Sequence, residues 1–416
     1  MCQILDFNTC RAERLYREGL NHLDRRDIEA AVATLEEAAA LNPAHTQARM
    51  ALVALYRQLG LLEYARAHCE AVLDRAPSPA AHLSLGQILV EEGHYEAALE
   101  AFRQCLVLDP LCARARHEMG FVHYLRGHYG EAVEEFHHAA AIEPLWETFY
   151  FLGECYRRLC RPREAQQMLR QALALAGTRE RVELTRAQLE SAARQTEFPG
   201  CRPVSWKDRV YCESGVVYLG SAGDDGLNIP FHFSYTFDVY ATAVTLRRLL
   251  AVAEGCGLRF HAAVPADALS APVARALEEL WASSSPSNGH GQVLVVQALG
   301  SDAARLQELA GQHPGSLSFC LAVTWDDPWL PDFVGLSTPL PCAVSWHAGE
   351  RDSPPDGVPS PQELFPGGRT SQVAARIVDT LRRLPPEPTL DAHVRYYARH
   401  HRRLRFWRRV ERLERR

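Results

Sequence analysis

The chain has 416 residues, 47% of them apolar and 23% charged, which is the composition of a globular protein of two or three folding units, not of a disordered, collagenous or coiled-coil one. A formal net charge of −6 carries no basic excess and argues against a dedicated nucleic-acid binder. No run approaches the ~18 uninterrupted apolar residues of a membrane helix.

That charge is unevenly spread. Residues 1–199 hold 22 Arg against 28 acids (−6), residues 200–390 hold 12 Arg and Lys207 against 20 acids (−7), and residues 391–416 hold 10 Arg against Asp391, Glu411 and Glu414 (+7). The start, MCQILDFNTC, lacks a basic segment followed by an apolar run, so no signal peptide is expected. Twelve cysteines without a C-x-x-C pair read as free thiols, and together these features predict a soluble cytoplasmic protein with no metal site of cysteine type.

The first half is periodic. Prolines recur at Pro43, Pro77, Pro110 and Pro144, and alanines at Ala31, Ala65, Ala98, Ala132 and Ala165. Glycines precede the alanines by twelve residues at Gly19, Gly86, Gly120 and Gly153, with Val53 in the second place. Three residue types in one phase of 33–34 residues predict stacked helix pairs. The small residues let paired helices approach, proline ends each second helix, and Leu35, Cys69, Phe102, Phe136 and Leu169, four residues after the alanines, fill the core.

These units resemble tetratricopeptide repeats, at about 12–45, 46–78, 79–112, 113–145 and 146–179, with 181–195 as a capping helix, so that 12–197 forms an α-solenoid. The resemblance implies a concave groove, formed by the first helix of each repeat, that binds a peptide or partner protein. The family's groove positions fall here on Tyr16, Leu20 and Leu23; Met50, Ala54 and Arg57; Leu83, Gln87 and Val90; His117, Phe121 and Tyr124; and Tyr150, Glu154 and Arg157. Some of these aromatics are expected to pack between repeats instead. Tyr16 and Leu20 stand where one branch of the family places a Lys and an Asn that clamp a C-terminal carboxylate, so that mode of binding is not expected.

Two prolines and a glycine within TEFPGCRPVSWKD break the helical pattern and predict a linker at 198–208. From 209 to 390 apolar runs alternate with helical patterns. Strands are expected at 209–220, 258–264, 292–299, 316–325 and 342–346, and helices at 236–254, 267–281, 302–312 and 371–384. This predicts an α/β domain with a mostly parallel sheet. Gly220, Gly223 and Gly226 match neither the dinucleotide nor the P-loop spacing, so no nucleotide cofactor is expected. Asp224, Asp225, Asp326 and Asp327 follow strands and are the candidates for a metal or ligand site, although turn and capping roles explain such acids more simply. His261 and Cys320 lie within strands and are read as core.

Residues 391–416 read as one basic amphipathic helix. Val394, Tyr397, Leu404, Trp407, Val410 and Leu413 form its apolar stripe, and Arg402, Arg403, Arg405, Arg408 and Arg409 lie among its other faces. Such a helix either docks on the acidic remainder of the chain or meets an anionic surface, RNA or lipid. The whole sequence therefore reads as a non-catalytic adaptor. The alternative is a metal-assisted hydrolase or transferase in the α/β domain, with the repeats as recruiting module.

Overall fold

The computed structural model describes residues 7–220, 235–284, 291–300, 302–324, 330–338, 342–347, 367–407 and 409. It divides into two compact bodies, Met1–Leu189 and Glu190–Arg416.

The N-terminal body is helical throughout: α1 (Phe7–Asp24), α2 (Ile28–Leu41), α3 (Thr46–Gln58), α4 (Leu62–Leu73), α5 (Pro79–Glu91), α6 (Tyr95–Leu108), α7 (Ala113–Leu125), α8 (Tyr129–Ile142), α9 (Trp146–Arg158), α10 (Pro162–Leu175) and the start of α11 (Arg179–Gln195). The phased glycines have a direct steric cause. A Cβ on Gly19 would lie 2.7 Å from Leu35, one on Gly86 2.3 Å from Phe102, one on Gly120 2.8 Å from Phe136, and one on Gly153 2.4 Å from Leu169. Each first helix thus presses its backbone on the large residue of its partner. In the second repeat Val53 takes the glycine's place, and there the facing residue shrinks to Cys69; both are buried in one core. The turn inside each pair needs a left-handed residue. Gly60, Gly93 and Gly127 supply it with φ of 74–80°, whereas Arg26 and Cys160 hold φ of 61° and 57° at the equivalent places.

The C-terminal body begins with a difference from expectation. Residues 209–220 are not a single strand, because α12 (Trp206–Ser214) occupies their first part. Ser205 and Asp208 form a reciprocal capping box, and Gly215 ends the helix with φ 69°. Only β1 (Val217–Tyr218) remains of the strand. There follow β2 (Tyr235–Phe237), α13 (Val239–Gly255), β3 (Phe260–Pro265), α14 (Ala271–Ser284), β4 (Gln292–Leu299), α15 (Ala303–Gln312), β5 (Leu317–Thr324), β6 (Phe333–Thr338), β7 (Cys342–Val344), α16 (Gly367–Arg383) and α17 (Leu390–His400).

Five strands form a parallel sheet in the order β1-β6-β5-β4-β3, while β2 and β7 pair separately, also in parallel. Alternate residues of β4 and β5 serve opposite faces. Leu294, Val296, Leu317, Phe319 and Leu321 join α13, α14, α16 and α17 in the larger core, and on the other side Val295 packs with Leu306 and Leu309 of α15. Strand β6 escaped the sequence reading because Gly335 interrupts it. That glycine is required, since a Cβ there would lie 2.4 Å from the carbonyl oxygen of Leu321. Cys320 is fully buried, but His261 is exposed on the edge strand β3 and does not belong to the core.

The expected helix over 391–416 is also corrected. α17 stops at His400, a single 3-10 turn spans His401–Arg403, and Leu404 is extended (φ −64°, ψ 140°). The cause is burial. Tyr397, Leu404 and Phe406 are 0–2% exposed in the core of this body, and a continuous helix does not bring all three inward. Val410 and Leu413 lie outside the described residues.

Candidate peptide-binding groove

Helices α3, α5, α7 and α9 pack on one another along the array, closer than the second helices do, which puts the first helices on the inner side of the curve. Their side chains form two distinct surfaces.

A polar ladder crosses the middle repeats. Arg57 donates to Gln87 Oε1 (2.6 Å) and pairs with Glu91 (2.9 Å); Gln87 Nε2 donates to Glu118 (2.8 Å), which also accepts from Arg114 (2.9 Å). Arg57 and Gln87 were expected at the groove, whereas Glu118, one position from the family pattern, and Arg114, three before His117, were missed. Further on, Glu154 and Arg157 are both buried and paired at 3.3 Å, and Arg157 donates to Gln188 of α11 at 2.6 Å.

An aromatic cluster follows, centred on Phe151. Phe121, Tyr124, Phe136 and Tyr150 all lie with ring centroids 5.2–5.8 Å from its ring. Trp146 stacks on Tyr150 at 5.0 Å, and the Arg181 guanidinium lies 4.8 Å over Trp146. Burial, and then the Glu154 carboxylate, raise the hydroxyl pKa of both Tyr124 and Tyr150. Phe151 sits next to a groove position and was not anticipated; the run WETFYF is the signal that pointed to it.

The remaining expected residues divide. Tyr16, Met50 and Leu83 are half-buried on inner helices, apart from the aromatic cluster; Tyr16 has its ring centroid 5.1 Å from that of His45. His117 is buried, bonded to Thr148 (3.0 Å) and packed on Phe136, so it joins neighbouring repeats rather than facing a ligand. Burial lowers its pKa, outweighing the charge of Glu118.

In the C-terminal body the candidate acids Asp224, Asp225, Asp326 and Asp327 lie outside the described residues, as does Arg408. Among the described residues, no group of three or more His, Cys, Asp or Glu is placed to hold a metal ion. The tail cations are largely engaged. Arg405 and Arg409 both reach the buried carboxylate of Asp332, and Arg403 pairs with Glu197 at 2.8 Å; Arg402 is exposed. Of the apolar stripe, Tyr397 and Leu404 are buried, and Val394 and Trp407 pack partly buried against the same core. Among the described residues no helix is long and apolar enough to cross a membrane.

Residues 16–80 and 79–112 match family models of the tetratricopeptide repeat. The N-terminal array is thus built of these repeats, the architecture of a protein-interaction scaffold. Among solved structures, the chain is similar to that of the MamA protein (19% identity, TM-score 0.37, covering 39% of this chain and 91% of that one). It is also similar to PilF of Pseudomonas aeruginosa (18%, 0.40, 46% and 86%) and to YrrB, described as a repeat protein with an unusual peptide-binding site (19%, 0.35, 41% and 90%). No curated protein matches the chain.

Proposed function

We propose that the protein is an adaptor that holds a segment of a partner protein along the inner helices α3, α5, α7 and α9, through apolar and aromatic contacts more than through charge. One observation carries this reading: Arg57, Arg114 and Arg157 are already paired with Glu91, Glu118 and Glu154 inside the array. What the inner side offers a ligand is half-buried Met50, Leu83, Val90, Phe121, Tyr124 and Tyr150. Aromatic anchors in such settings dominate binding energy, and compensated charges contribute register and specificity. The C-terminal α/β body would then provide the adaptor's second function, as a compact unit of its own over Glu190–Arg416.

The test is a cross-linking capture comparing wild type with Phe121→Ala/Tyr124→Ala. The expected outcome is selective loss of a partner, with the wild-type complex holding when salt is raised from 0.1 to ~0.5 M. Identical partner sets for the two proteins would refute a role for the inner helices.

A further inference from the structure

Helix α17 carries a feature that the repeat array does not explain. Ala392, Arg395, Tyr396, Arg399 and His400 line a surface cleft of about 530 Å³. Arg403, Arg405 and Arg409 answer to Glu197 and Asp332, but among the described residues Arg395 and Arg399 have no hydrogen-bond or ion-pair partner. They stand four residues apart, so their Cβ atoms share one helix face about 6 Å from each other.

The cleft's remaining wall is fixed in place. Tyr396 donates its hydroxyl to Asp208 (2.8 Å), and the Lys207 ammonium lies 4.6 Å over its ring. His400 is held through Nδ1 by Glu197. Beside the cleft, Glu197 and Asp208 are each already bonded, and Asp391 stands four residues before Arg395 on the same helix.

Two unpartnered guanidinium forks on a rigid wall suit a tetrahedral dianion, because each fork offers parallel N–H donors and a phosphate accepts both through three oxygens. A carboxylate fills only one fork. We propose that this cleft binds a small phosphate monoester, with Arg395 and Arg399 gripping the phosphoryl group and the Tyr396 ring bordering the esterified part.

The experiment is calorimetric titration of the full chain with O-phospho-L-serine, with L-serine as blank. Saturable binding is expected, with Kd of about 1 mM or tighter, and salt should weaken it. Arg395→Gln/Arg399→Gln should weaken it at least about tenfold, since hydrogen bonds from charged groups of this kind typically count for that much or more. Arg402→Gln, an exposed cation not lining the cleft, should leave it unchanged. If the double variant melts earlier than wild type, Arg399→Lys replaces it; that change keeps the charge, removes the fork, and should still weaken binding several-fold. Absence of saturable binding to wild type, or equal weakening by Arg402→Gln, overturns the proposal. Tighter binding of inorganic phosphate than of phosphoserine overturns the monoester assignment.

Discussion

Gly86→Ala is the sharpest test of why the repeats carry their phased glycines. The new Cβ would stand 2.3, 2.6 and 2.7 Å from three ring carbons of Phe102, where ordinary contact is about 3.5–4.0 Å. The ring would have to retreat by roughly 1 Å, yet Phe102 is fully buried. Overpacking of this kind costs about 1–3 kcal/mol, while alanine regains about 1 kcal/mol of helix propensity over glycine. The expected net result is a loss of up to about 2 kcal/mol in urea unfolding followed by far-UV circular dichroism. Gly130→Ala is the control. It lies in exposed α8 surface with nothing within 4 Å of the added carbon, so it should be neutral or stabilising by about 0.5 kcal/mol. The second repeat supplies the rescue: Gly86→Val/Phe102→Cys copies its Val53/Cys69 pair and should be less destabilised than the sum of its single changes by more than about 1 kcal/mol. Equal stability of Gly86→Ala and Gly130→Ala, or strict additivity in the double variant, would refute the steric argument.

Other outcomes follow from the same structure. Arg26→Gly and Cys160→Gly relieve left-handed backbone at non-glycine residues and should each stabilise by about 1 kcal/mol, whereas Gly93→Ala, at the same place in the third repeat, should destabilise by a similar amount. Acid should loosen the C-terminal body through Glu197 and Glu387. Burial alone would raise their pKa values, but hydrogen bonds from His400 and Tyr211 to the first, and from Arg248 and Arg247 to the second, together with the charges of His400, Arg403 and the two arginines, outweigh it and hold both below the ordinary 4.5. Their contribution is therefore complete above pH ~4.5 and is lost as pH falls through the depressed folded values, readable as a falling Tm that Glu387→Gln would flatten. Asp332→Asn should remove the ion pairs of Arg405 and Arg409 with this carboxylate and destabilise the same body by about 3 kcal/mol or more, because the carboxylate is buried and also accepts from Ser318.

The helix pairs were legible because each periodic residue answers one local demand: Gly86 to Phe102, Ala98 to a buried 0% site, Pro110 to the end of a helix. The groove was only partly so. Family positions pointed to Phe121, Tyr124 and Tyr150, yet the ring they surround, Phe151, lies one residue off the pattern and is defined by the neighbouring repeat. His117 shows the opposite limit, since its register suits a ligand but its bond to Thr148 is a tertiary accident of α7 against α9. In the second half, β6 was hidden by Gly335, whose reason is the carbonyl of Leu321 on another strand. The tail misled for the same cause. Period alone extends a helix through Leu404, and only the surrounding core shows that Phe406 as well must turn inward.

The hydroxyl of Tyr397 accepts from the backbone amide of Tyr218 (2.8 Å) and donates to its carbonyl (3.0 Å), while the amide of Arg405 bonds the carbonyl of Gly215. Strand β1 and the turn before it are therefore finished by side chain and backbone made some 180 residues later. During synthesis the repeats can form one after another as they leave the ribosome, each contacting only its neighbours. The C-terminal body cannot. Its first strand must wait, with one edge unanswered, until residue 406 has emerged, so a nascent chain halted shortly before that point should carry a folded array joined to an open sheet that chaperones and proteases can engage.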